Sequence, residues 1–462
     1  MPVLERSRKS EIEVRTPAVN RPVAVVLGMA AVLVAAFAAA VPAWLADHDS
    51  IIRLLHYWLA VVQGDDSWKP MREAYAWHLG GHGKTIYQHV LFDEHVKFQY
   101  PPASLLIFAI PGALHIPVSD RALNMIGWIS VLIASAATGA LTFRATRDWP
   151  ETHLRYAAAV LAALLTLTFY PVLWAFRQGQ IQAWLSAWFA LSALAFFTGR
   201  KRTAGALIGA VCFAKPHFML FLVWALLRRQ WPFAGAMAAV LAMTFVTSMA
   251  VFGWANHVDY LSALSYMSHH GEAFVRNYSV NGVMNRLLGN GYNLAFQPHD
   301  YAPYRPLVYW TTVASSAAFI GMALFYRRRE VPNLIDFFIA ALSLTIASPI
   351  AWEHHYGILP PVFAVLALTL ARTERRNLAA ALALFFAFVA CDTILPPIAA
   401  LSTGPKSLLQ ATVFFGALTV LILLYRLRDA FPLALQPHEH APAIQQISEQ
   451  PARQRVGKGA EE

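Results

Sequence analysis

Residues Gly64–Pro102 read GDDSWKPMREAYAWHLGGHGKTIYQHVLFDEHVKFQYPP, a long polar and aromatic stretch in a chain otherwise made of apolar runs. It carries the acidic pairs Asp65-Asp66 and Asp93-Glu94 and the histidines His78, His82, His89 and His95, and gives way at Tyr100-Pro101-Pro102 to a new apolar run. Gly, Ser and Glu do not dominate it, as they do in a flexible or disordered linker. Its Trp, Tyr and Phe side chains gain by burial. The stretch reads as a folded loop lying on one face of a membrane and carrying the chemistry.

The rest of the chain explains why a membrane is implied. Of 462 residues, 57% are hydrophobic and only 13% charged, a balance outside that of ordinary globular domains. Apolar runs of about 17 to 25 residues recur along the whole length, as bilayer-spanning helices require. The expected fold class is all-α, a polytopic integral membrane protein with about 10–13 membrane helices, partial insertions included. The net charge of +10 sits in short Lys/Arg clusters between apolar runs, which marks cytoplasmic loops and not a nucleic-acid surface. Cys212 and Cys391 lie far apart in apolar runs, without metal spacing, and read as small buried hydrophobes.

Taken in order, basic residues 1–21 predict a cytoplasmic N-terminal segment, followed by a membrane domain over 22–427 and a disordered cytoplasmic tail over 428–462. Ala18–Trp44 has no clear small-residue cleavage site and is long enough to span, so it is not read as a cleavable signal. Outer loops are expected over about 44–101 and 254–304, with Ile51–Val62 as an interfacial helix. Pro101–Val118 is expected to dip into the bilayer and return, and Tyr156–Ala175 to cross as one span. Ala204–Phe213 and Pro216–Leu227 are each too short to cross and meet at Lys215-Pro216-His217, the pattern of broken helices lining a cavity. About ten crossings and two partial insertions result, with both termini inside.

The segments GDDSW, KFQYPP, RQGQIQ, AKPHF, NYSVNGVMNRLL and SPIAWEHH, in this order and spacing over roughly residues 60 to 370, together resemble glycosyltransferase family 87. That resemblance implies a helical fold of the C superfamily of glycosyltransferases and a bacterial inner-membrane enzyme. It also implies an inverting transfer on the outer face, from a polyprenyl-phosphate sugar, with mannose the usual hexose. The donor is a substrate, so no cofactor is expected. The expected partners are the lipid-linked donor, a glycolipid or glycan acceptor and membrane lipids, with no nucleic acid.

Such a transfer needs a carboxylate to take the proton of the attacking hydroxyl and cations to meet the departing phosphate. By the resemblance, Asp66 is the base. Asp65, Asp47 and Asp49 remain alternatives, and capping of the helix that starts near Trp68 is the plain structural role for Asp66. Lys215, bounded by apolar runs, is expensive unless used, and is the first candidate for the phosphate; a snorkelling lysine is the other reading. Arg276 and Arg286 lie in the second outer loop, suited either to phosphate or to salt bridges with Glu272 or Asp300. Asn281, with Asn277 and Asn285, either binds sugar hydroxyls or caps helices. His354 and His355, with Glu353 beside them, suit donor or acceptor contacts; no HExxH or DxD pattern accompanies them, so no metal is expected. Gln180 and its neighbours Arg177 and Gln178 form a polar outer turn, either a substrate contact or a structural cap. The four loop histidines read as surface or packing residues. A flippase of lipid-linked sugars, or a polysaccharide polymerase or ligase using a lipid diphosphate, are the alternative functions. The first should show internal repeats and charges within several spans, whereas the charges here concentrate in outer loops.

Overall fold

The computed structural model describes residues 21–45, 50–326, 332–373, 377–393 and 395–431. The basic N-terminal residues 1–20, Asp47, Asp49, Arg327–Arg329, Arg375, Arg376 and the tail from 432 lie outside them. The described chain is helical, and its only β pairing is a single bridge between Asn277 and Trp352.

Helix α1 covers Arg21–Leu45, α2 Ile51–Leu59, α3 Trp68–Leu79 and α4 Leu106–Ala113. The long α5, Asp120–Ala145, precedes α6, Thr152–Leu167, α7, Tyr170–Arg177, and α8, Gln182–Phe197. The hairpin of α9, Lys201–Val211, and α10, Leu220–Leu227, leads into α11, Trp231–His270. Then follow α12, Val280–Leu287, α13, Pro306–Phe325, α14, Leu334–Ala347, α15, Leu359–Arg372, α16, Leu378–Asp392, and α17, Thr412–Leu427.

Among the described residues, five helices are long and apolar enough to cross a bilayer, and two bent pairs pass the same test together. Five shorter apolar helices complete the set. The protein is an all-α polytopic membrane protein. The sequence differs from this picture in two places. Tyr156–Ala175 is not one rod but α6 and α7, bent by 44°. Asp392 of α16 supplies the reason the break holds, because its Oδ1 accepts from the Tyr170 N–H at 2.7 Å and so caps the new helix. The second outer loop, expected from residue 254, opens with helix: Gly253, at φ +74°, breaks α11 where the span was expected to end, and a second helical stretch runs on to His270.

Two further features fit expectation and fix the frame. The helical part of the segment after Pro101 covers only Pro102–Ala113, well short of the ~20 residues a crossing takes. In α2, Ile51, Leu54 and Trp58 share one buried face, and Ser50 Oγ accepts from Arg53 N–H, so a short amphipathic helix results. The centre is α14, mostly apolar and buried along its whole length. A reciprocal Asn333/Asp336 capping box starts it, and Arg428 pairs with Asp336, tying the end of α17 to that point.

The part of α11 after Gly253 holds the 64–102 loop. Asn256 Oδ1 accepts from Ile86 N–H at 2.8 Å, Asp259 accepts from the Thr85 hydroxyl, and the Tyr87 and Tyr260 rings lie 5.3 Å apart. His82 and His89 stack on Trp77, which accounts for two of the loop histidines as packing.

Candidate active site

The 64–102 and 271–304 loops and the facing helix ends line a cavity of about 1210 Å³. Asp65, Asp66, Gln180, Lys215, Arg276, His354 and His355 all line it, whereas Asn281 and Arg286 do not.

The acidic side is built by a backbone zipper. The 64–67 strand of loop lies along the 177–179 turn: Gly64 N–H donates to Arg177 O at 2.8 Å, Asp66 N–H to Gln178 O at 3.0 Å and Ser67 N–H to Gly179 O at 3.3 Å. The approach is close enough that a Cβ on Gly179, itself at φ +68°, would stand 2.0 Å from Gly64 O. The polar RQGQ turn is therefore the seat of the acidic pair.

Asp66 does not cap α3. Its Oδ2 accepts from Gln180 Nε2. Gln180 Oε1 accepts in turn from Ser67 Oγ at 2.8 Å and from Tyr100 OH at 3.2 Å, and Ser67 Oγ accepts from Ile181 N–H at 3.0 Å. This network orients the Gln180 amide so that its NH₂ faces the carboxylate. The Asp66 side chain is exposed to the cavity. Loss of hydration within the site raises its carboxyl above the ordinary range; the Gln180 hydrogen bond pulls it back down, and the charge of Asp65 adds to the rise.

The cationic side comes from three other segments. Lys215 sits at the α9–α10 hairpin, where a short 3₁₀ turn, Pro216–Met219, restarts the chain, and its Nζ lies 2.5 Å from His355 Nε2. With a protonated lysine donating, that imidazole nitrogen is the acceptor, which fixes the His355 tautomer. His354, its ring at 84° to that of His355, keeps a buried Nδ1 with no hydrogen-bond partner among the described residues. Arg276 donates to Glu353 Oε1 at 3.3 Å and lies over the Trp174 ring at 4.6 Å. Its acidic partner is thus Glu353, and neither Glu272 nor Asp300.

Arg286 and Asn281 have other tasks. Arg286 is 1% exposed, and its Nη1 donates to Phe274 O at 3.2 Å and Asn277 O at 3.0 Å. Asn281 Oδ1 accepts from Glu272 N–H at 3.2 Å and Asn285 Nδ2 at 2.8 Å. Asn277 bridges Glu272 O, Pro349 O and Ala351 N–H. These residues brace the segment that carries Arg276 from behind the cavity wall, because each finds buried backbone partners there.

Sequence reasoning passed over Lys97. Its ammonium lies 2.5 Å from Glu272 Oε2, with the Phe296 and Tyr301 rings at 4.6 and 4.5 Å, and the side chain lines the cavity. Burial pushes the Lys97 ammonium down and the Glu272 carboxyl up, each partly offset by the other's charge. A lone lysine in the aromatic run VKFQY was the available signal.

Comparison with known proteins bears on the whole arrangement. The profile of glycosyltransferase family 87 matches residues 98–349, more than half of the chain. The Asp65-Asp66 pair lies ahead of the matched segment. A polyprenol-phosphate-mannose-dependent alpha-(1-2)-phosphatidylinositol mannoside mannosyltransferase of Mycobacterium tuberculosis is 24% identical over 318 residues, covering 65% of this chain and 68% of that protein. A protein of the same description from Mycolicibacterium smegmatis is 25% identical over 286 residues, covering 59% of this chain and 62% of its own. A polytopic helical frame, a cavity with acids and cations together, and a family match across most of that cavity's walls lead to one assignment: the chain belongs to glycosyltransferase family 87.

Proposed function

We propose that this glycosyltransferase moves mannose from a polyprenyl-phosphate donor to a glycolipid or glycan acceptor, with inversion, on the outer face of a bacterial inner membrane. The observation that carries the reading is the sharing of one cavity by the Asp65-Asp66 pair and the cations Lys215 and Arg276. The donor named in the descriptions of both relatives supports polyprenyl-phosphate-mannose as the substrate.

The acceptor hydroxyl oxygen attacks the anomeric carbon, and Asp66 takes its proton. As the new glycosidic bond forms, the bond from that carbon to the phosphate oxygen breaks, and polyprenyl phosphate leaves with the electron pair. Lys215 and Arg276 meet the charge that grows on the phosphate. Glu353 holds Arg276 in place, His355 holds Lys215, and the unpartnered His354 Nδ1 is positioned for a substrate oxygen. A carboxyl raised above the ordinary range is a stronger base than an unperturbed one.

The deciding experiment measures transfer from labelled polyprenyl-phosphate-mannose in purified membranes, with wild type and Asp66→Asn side by side. Transfer by the wild type that vanishes in the variant, with expression and donor binding retained, supports both activity and base. Unchanged transfer in the variant moves the base to Asp65, Asp47 or Asp49. Lipid-linked sugar that crosses between leaflets without being transferred overturns the reading in favour of a flippase.

A further inference from the structure

The cavity lining is of two unlike kinds, a helix-lined part and a loop-lined part. The first is apolar and holds Leu220 of α10, Ile320 of α13 and Leu344 of α14. The second holds Lys97 of the first loop, Phe274 and Phe296 of the segment after α11, and Trp352 of the turn after α14. The three rings form a corner and not a flat face. Phe296 and Trp352 meet at 5.8 Å and 75°, and Phe274 lies 6.2 Å from Trp352 at 56°. Phe296 is 40% exposed although the loop that carries it is tied down: Val275 N–H donates to Asn293 O at 3.0 Å, and Gln99 Nε2 to Tyr301 OH at 3.0 Å.

Half-open aromatic rings on a rigid frame, beside a fixed ammonium, have the chemistry of a sugar subsite. The C–H face of a pyranose packs on a ring, and its hydroxyls reach the donors at the rim. An alkyl chain would have no use for the Lys97–Glu272 pair. The donor's tail must stay in lipid, so the donor's place is the helix-lined part.

We propose that the loop-lined part is an acceptor subsite that stacks a hexose ring of an existing glycan on the Phe296–Trp352 corner, with Lys97 hydrogen-bonding a ring hydroxyl. The enzyme is then one that elongates glycans, and a reaction that sets the first sugar on the acceptor must precede it. This rests on the transferase reading above. Phe296 is the specificity-determining side chain, and Glu272 positions Lys97.

The test uses purified full-length protein in nanodiscs, as wild type, Phe296→Ala and Phe296→Tyr. Saturation-transfer NMR with methyl α-mannoside reports binding without any turnover. Phe296→Ala should lose most of the mannoside signal and Phe296→Tyr should keep it. In transfer assays with a mannosylated lipid acceptor, Phe296→Ala should raise acceptor KM about tenfold and leave donor KM unchanged. A mannoside signal equal in wild type and Phe296→Ala overturns the subsite. So does equal use of a sugar-free lipid acceptor and its mannosylated form. Should the wild type transfer no mannose at all, the transferase reading fails, while the NMR comparison still decides whether the corner binds sugar.

Discussion

Gln180 Nε2 donates to Asp66 Oδ2 across a sequence separation of 114 residues, and Gln180 is oriented for this by Ser67 and Tyr100. Because transfer needs the ionised carboxylate, kcat/KM should rise as pH climbs through the Asp66 pKa. Gln180 lowers that pKa and Asp65 raises it. Gln180→Leu should therefore move the acid limb of the pH profile upward, and Asp65→Asn should move it downward. A profile that disappears in Asp65→Asn, with no shift, transfers the base role to Asp65.

Asp66→Asn should lower transfer by about 10²- to 10⁴-fold. It should also raise the melting temperature at pH 7. The native pKa lies above that of the unfolded chain, so the acid is best tolerated below its unfolded pKa, and that stability is lost as pH rises through the native pKa. The neutral amide escapes the loss, so its advantage in thermal melts should shrink as pH falls towards the unfolded value.

Arg276 uses a planar guanidinium twice, donating to Glu353 and lying over Trp174. Lysine keeps the charge but neither geometry. Arg276→Lys should cost about 10²-fold in kcat, the order of one lost transition-state donor, with little change in the melting temperature. Steady-state kinetics with thermal melts on the same preparation check both halves.

Arg286 should behave in the opposite way. Its contacts are the Phe274 and Asn277 carbonyls, and its own side chain does not line the cavity. Arg286→Met should lower the melting temperature, since it leaves buried carbonyls short of a donor, a loss of about 1–3 kcal/mol. Transfer per folded molecule at low temperature should stay near wild type. A large fall in kcat without loss of stability would return Arg286 to the phosphate.

Gly179→Ala should be far more damaging than a methyl group suggests. The residue is at φ +68°, and the new Cβ would meet Gly64 O. A cost of about 1–3 kcal/mol follows from strain alone. Parting the 64–67 segment from the turn should also lower transfer, measured against Gly81→Ala, a second positive-φ glycine with open space around its Cβ direction.

Much of this was legible in the chain itself. Apolar length and basic clusters give the membrane class, and Lys215-Pro216-His217 between two short apolar runs gives the broken hairpin that α9 and α10 form. The RQGQ turn was visible as polar, though its backbone pairing with the acidic loop was not, because backbone bonds leave no mark on residue type. Charge shows in a sequence; its partner does not. Lys97 finds Glu272 at a separation of 175 residues, and Arg276 finds Glu353 at 77, so neither pair follows from local spacing. The end of the span at Gly253 was legible, whereas the helical stretch from there to His270 was not, because its packing against the 64–102 loop leaves no mark on the local pattern.

The bond from Tyr170 to Asp392 has a consequence for synthesis. The helix that ends in the RQGQ turn is capped by a residue made 222 positions later, beyond the end of the family match at residue 349. Until α16 has left the ribosome, the Tyr170 N–H at the start of α7 lacks this acceptor, so the helix that leads into the carboxylate seat gains its cap only late in synthesis.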